Sequence, residues 1–200
     1  MMCRNESRLS LEKNVWALTP GPRGDKWTTF HTSGIASIGH DLEKEQDPDR
    51  ETLIQTIDER VEGKYKGQYQ AYLFQECIEA GDLIVAKRGS QIDPNTVYGI
   101  GRVTEPYDPL EPLKLESLNV YEPKKTDHYK HQIRLDWFPI ADDGINFDPN
   151  IMQFPGQTLA RLSSEEFVSL LNILENKLSE TNNGEEMKNL LSFLNIDDMG

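Results

Sequence analysis

Apolar positions along this chain fall into short continuous runs through its first two thirds and into helical stripes near its end. Asn14 to Leu18 is one such run, and Thr19-Pro20-Gly21-Pro22 stops it, because prolines and glycine end a strand and begin a loop. Lys26 to Phe30 (KWTTF) and Gly34 to Ile38 (GIASI) follow as short strand-like runs flanked by glycine or polar residues. From Asp49 the spacing changes to three and four. Leu53, Ile54, Ile57 and Val61 share a face, Asp49 and Glu51 sit in the first turn, and the pattern predicts a helix. A second helical stripe, Tyr69, Tyr72, Leu73, Cys77 and Ile78, ends at Ala80-Gly81, a glycine stop.

Residues 81–104 read as two strands joined by a polar turn. Leu83-Ile84-Val85-Ala86 carries the first, Gly89 to Asn95 turns, and Val97 to Val103 (VYGIGRV) returns. Gly99 and Gly101 weaken the return strand, so the backbone there must be bare for a sharp bend or for the close approach of another chain or a ligand. Tyr107 to Lys125, rich in proline and charge, reads as an extended surface loop. Ile133 to Trp137 alternates apolar and polar, as a strand with one face in the core does. Residues 142–156 look loop-like, and Thr158 to Leu162 forms a last short strand or turn. Ser164 with Glu165 and Glu166 caps a helix whose Phe167, Leu170, Leu171, Leu174 and Leu178 form a stripe. Asn182-Asn183-Gly184 breaks it, and Met187, Leu190, Leu191 and Leu194 make another. The division that follows is an N-terminal segment (1–13), a main α+β domain (14–162), and C-terminal helices or a linker to an effector domain (163–200).

With 200 residues and 36% hydrophobic content, the chain supports one core with an appendage. Cys3 and Cys77 offer no disulfide framework, and no apolar run is long enough for a signal peptide or a membrane span. A cytoplasmic protein with no membrane association is expected. The net charge of −13 argues against strong non-specific binding to nucleic acid. Its distribution softens that objection: residues 41–80 hold 11 acids against 5 bases and residues 141–200 hold 11 against 3, whereas residues 1–40 hold 5 bases against 3 acids.

Candidate chemistry is sparse. Gly34 to Asp41 (GIASIGHD) has the glycines of a phosphate loop but His40-Asp41 where that mechanism needs Lys followed by Ser or Thr. His128 and His131 lack the further ligands of a zinc site, and Glu122-Pro123-Lys124 lies in a loop ill suited to hold nuclease ligands. Neither a cofactor nor a catalytic centre is expected. The aromatics are more suggestive: Trp16, Trp27 and Trp137 lie at or beside predicted strands, and Tyr98 lies on the glycine-bearing one. Each indole serves either core packing or the stacking of a flipped base.

The order of these pieces resembles the EVE-like domains of the PUA-like superfamily, in particular those at the N-terminus of McrB-type modification-dependent restriction proteins. WALTPG (16–21), WTTF (27–30), GIASIGHD (34–41), the helix running into Gly81-Asp82 and the following strand, VYGIGRV (97–103) and HQIRLDW (131–137) carry the resemblance. It implies a small PUA-like β-barrel flanked by helices, with a C-terminal helical tail. It also implies a pocket that takes a flipped, methylated or hydroxymethylated base in DNA, formed by Trp27, Gly39, His40, Asp41 and Trp137. Lys87, Arg88, Gly89 and Ser90 would form a rim against the phosphate backbone. His40 stands where relatives often carry Trp; an imidazole still stacks and also hydrogen-bonds. His40-Asp41 reads equally as a helix-capping pair. Under the resemblance the protein is a sensor, and an AAA+ motor or nuclease is supplied elsewhere. Modified RNA, or a protein partner met by the acidic C-terminal helices, are the alternatives.

Overall fold

A computed structural model describes residues 13–21, 24–38, 70–88, 95–108, 131–141, 143–180 and 184–195. The helix expected from Asp49, the loop beyond Asp108 and the segment before Lys13 lie outside the described residues. The elements in chain order are β1 (Val15–Leu18), α1 (Trp27–Ser33), β2 (Ile35–Ile38), a π-helical turn (Leu73–Cys77), β3 (Leu83–Arg88), β4 (Asn95–Glu105), β5 (His131–Pro139), β6 (Ile145–Phe147), β7 (Leu159–Leu162), α2 (Ser164–Glu180) and α3 (Gly184–Leu194).

The strands form one mixed sheet in the order β2-β5-β4-β3-β1-β7, with β6 also on β4. Only β1 and β3 run parallel among these pairs. β4 is the spine. It holds β3 along one side; along the other, Gly99 to Glu105 pair with β5 and Asn95 to Val97 with β6, so β5 and β6 act as one interrupted strand. The sheet curls into a half-barrel flanked by helices. Among the described residues β2 and β7 do not pair, so it stays open where the sequence predicts a barrel.

Both faces of the sheet are covered, which explains the unbroken apolar runs VWAL and LIVA. Val15, Ala17, Leu83, Val85, Val97 and Ile100 point into a core shared with α2 and α3. Trp16, Leu18 and Ile84, the alternate residues, point into a second core with Phe30, Ile35, Phe74 and Ile133. The apolar stripes of α2 and α3 are therefore spent on the sheet. Arg102 fixes α3 further: its guanidinium donates to the Phe193 carbonyl and lies 5.5 Å from the Phe193 ring centroid.

Four local expectations change. KWTTF begins a helix, α1, because Trp27 and Phe30 are buried on one face and Gly34, left-handed at φ 62°, closes the end by donating to the Phe30 and His31 carbonyls. Residues 145–147 form β6 inside the expected loop. Ser163 rather than Ser164 caps α2, in a capping box in which the Glu166 N–H donates to Ser163 Oγ and the Ser163 N–H to the Glu166 carboxylate. Cys77 is disulfide-bonded, where the sequence offered no disulfide framework. Among the described residues, no helix is long and apolar enough to cross a membrane.

One buried acid ties the sheet together at the start of β3. The Asp82 carboxylate, 1% exposed, accepts from the Asn14 N–H at 3.1 Å, the Trp16 indole N–H at 2.9 Å and the Glu79 N–H at 3.1 Å. A desolvated carboxylate holding several donors contributes far more than an exposed ion pair such as Arg134–Glu105. Asp82→Ala is expected to destabilise the protein by about 3 kcal/mol in urea unfolding, against under about 1 kcal/mol for Glu105→Ala; equal losses would refute the anchoring role.

Candidate aromatic site on the β4 face

The strand that drew attention in the sequence organises the site. Opposite β3, Ala86 pairs with Gly99 and Lys87 with Val97, so Tyr98 is an extra residue in β4 and forms a bulge. The bulge resets the alternation. Gly101 and Gly99 face one way and Tyr98 joins them there, while Ile100 and Val97 face the α2–α3 core.

The bare backbone is filled by the protein's own rings. A Cβ built on Gly99 would stand 2.6 Å from Trp27 Cη2, and one on Gly101 would stand 2.6 Å from Trp137 Cε3. Neither gap admits a methyl group, so these glycines answer the close approach of two indoles rather than a bend. Around them four rings gather. Trp27 stacks with His31 (centroids 5.4 Å apart, planes at 15°) and with Tyr98 (5.9 Å, 24°), and meets Trp137 edge-on (5.1 Å, 88°). Trp27 and Tyr98 are buried, whereas His31 and Trp137 are partly exposed. The Trp137 indole N–H donates to the Ile35 carbonyl at 2.9 Å, which fixes its plane against β2.

Of the expected pocket, Trp27 and Trp137 come together here. Gly39, His40, Asp41, Gly89 and Ser90 lie outside the described residues. Ile38, the last described residue before Gly39, pairs with His131. It is three residues along β2 from the Ile35 that holds Trp137, which at the rise of a strand is about 10 Å. Arg88 follows Ala86 by two residues, which by the period of a strand turns it to the same face of β3, and its Nε has no hydrogen-bond partner among the described residues.

Lys87 does not sit at a rim. The period of β3 turns it to the opposite face, where it is 1% exposed and its ammonium donates to the carbonyls of Pro155 (2.7 Å) and Gln157 (3.0 Å), 5.9 Å from the Phe154 ring centroid. Burial pushes its pKa down from 10.5 to about 8. Two ring residues were missing from the sequence-derived pocket. His31 follows Trp27 at helical i+4 spacing, a signal hidden while KWTTF reads as a strand; Tyr98 reaches the cluster only through the bulge.

The cluster offers π faces, an imidazole and a nearby guanidinium. Among the described residues, no three His, Cys, Asp or Glu side chains gather as a metal site. No family model and no curated protein matches the chain. Solved structures of similar shape include a hypothetical protein from Leishmania major (11% identity, TM-score 0.45, covering 82% of this chain and 96% of that one). Proteins from Pseudomonas syringae (13% identity) and Pseudomonas putida (12%) each give a TM-score of 0.41, covering 80% of this chain and 99% of theirs.

Two outcomes follow from this geometry. Gly99→Ala should displace Trp27 and destabilise the protein by about 1–3 kcal/mol with a changed tryptophan emission; an unchanged melting curve and spectrum would show that the strand tolerates a methyl group. For Lys87, unfolding between pH 8 and 10.5 takes up a proton, so its contribution to stability rises with pH across that window. The wild type should gain up to about 3 kcal/mol there relative to Lys87→Met, read from urea titrations at each pH; parallel profiles would contradict a desolvated ammonium.

Proposed function

We propose that this protein is a binding module of the EVE-like, PUA-like kind, reading a modified base in DNA after the base is flipped out of the duplex. The observation that carries the reading is the convergence of Trp27, His31, Tyr98 and Trp137 over the bare backbone of Gly99 and Gly101. A flipped base needs an apolar face to stack on and polar groups along its edge. The exposed part of Trp137 supplies the first, on a ring already immobilised by its bond to Ile35, so little rotamer freedom is lost on binding. Arg88 lies on the same face of β3 as Ala86 and supplies a cation for the strand's phosphates.

The order of sequence segments from WALTPG to HQIRLDW supports the same reading, as does the small curled sheet with helices on both faces. In this role the protein is the specificity element of a modification-dependent restriction system. An NTPase motor or nuclease, carried by another domain or protein, would supply the response. With a net charge of −13, affinity would come from the pocket more than from phosphate contacts and would fall with salt.

Fluorescence anisotropy decides the matter, using matched short duplexes that carry N6-methyladenine, 5-methylcytosine, 5-hydroxymethylcytosine or no modification, with matched RNA as the competing substrate. One modified duplex should bind preferentially at physiological salt. Trp137→Ala should weaken that binding by roughly tenfold, as loss of one base-stacking contact of about 1–3 kcal/mol requires. Preference for RNA would move the function to the alternative, and uniform absence of binding would remove the base-reading role.

A further inference from the structure

Three of the four rings have little left to offer the edge of a ligand. Trp27 and Tyr98 are buried, and the only polar group of Trp137, its indole N–H, is spent on the Ile35 carbonyl. Stacking on such faces is tolerant, because every base has a π face. A site made only of them would hold a base without telling one from another.

His31 differs. It sits in the last turn of α1, its ring within 15° of parallel to Trp27, and it remains partly exposed. Neither of its ring nitrogens has a hydrogen-bond partner among the described residues. The stacking contact with Trp27 holds the imidazole in place, so it is preorganised while its ring nitrogens stay unpaired among the described residues. A neutral imidazole offers one donor and one acceptor, whereas the Arg88 guanidinium offers donors only, and the Thr96 hydroxyl is already bonded to Asn146 at 2.7 Å.

We infer that His31 is the specificity-determining residue of this site, hydrogen-bonding the edge of an extruded nucleobase whose face lies against Trp137. The inference rests on the base-reading function proposed above. Discrimination then comes from the cost of leaving a donor or acceptor unpaired once the bound base has shut water away from the imidazole and the wrong edge is presented. Stacking sets how tightly any base is held.

The test uses the full chain with the same four duplexes, comparing wild type, His31→Phe and His31→Gln, each checked by thermal melting. His31→Phe keeps a ring on Trp27 and removes the hydrogen bonds. It should lose roughly tenfold affinity for the preferred duplex and change the others by less than about twofold, so that selectivity collapses. His31→Gln keeps a donor and an acceptor without a ring and should retain more selectivity than His31→Phe. Wild-type selectivity in His31→Phe would overturn the inference while leaving base reading intact. Absence of selectivity in the wild type would overturn both.

Discussion

Two indoles lie directly on the backbone of β4, Trp27 over Gly99 and Trp137 over Gly101, each too close for any side chain to intervene. Much of the molecule is arranged around that contact. β4 must be long enough to carry β3 on one side and both β5 and β6 on the other, because Trp137 comes from β5 and Tyr98 needs the bulge against β3. α1 must be a helix, since only that geometry places Trp27 on the strand and His31 on Trp27. β2 must lie beside β5 to receive the Trp137 N–H. The contact thus ties together α1 and four strands, and it also creates the site.

The opposite face of the same sheet carries a different kind of constraint. There the core is filled by α2 and α3, and the polar groups it contains are held by specific partners: Lys87 by two loop carbonyls, Arg102 by the end of α3. Burying the Lys87 ammonium costs free energy, as its lowered pKa reflects, yet it holds the segment around Pro155 and Gln157 against β3. Asp82 does the corresponding work at the start of β3, where it joins Asn14, Trp16 and Glu79. A sheet covered on both sides and pinned by buried polar groups is a rigid support, and a rigid support keeps an aromatic cluster preorganised.

Under the proposed function, this division of labour separates affinity from selectivity. The immobilised faces of the cluster provide contact area with little ordering cost, and the imidazole of His31 provides direction. An acidic protein gains from such an arrangement. With most of its acid in residues 41–80 and 141–200 and a net charge of −13, it cannot rely on the phosphate attraction that dominates ordinary DNA binders.

Much of the architecture was legible in the chain. The runs VWAL, IASI, LIVA and VYGIGRV, the alternation of IRLDW and the stripes of α2 and α3 each predict their elements, because periodicity and burial are local properties of neighbouring residues. The pair of glycines in β4 pointed to a bend or to the close approach of another chain or a ligand; it is the protein's own Trp27 and Trp137 that occupy the space. Other features depend on residues far apart in sequence. Trp, Thr and Phe favour strands by propensity, and only packing on β4 makes WTTF a helix. Whether Lys87 faces solvent or core depends on which face α2 covers. Tyr98 reaches the ring cluster through a bulge set by strand pairing, which no single segment encodes. The sequence by itself determined most of the strands, the two C-terminal helices and three of the four rings that gather on β4; the tertiary structure alone decided that WTTF is helical, that residues 145–147 pair as a strand and which rings meet, because these depend on packing and on the register between strands.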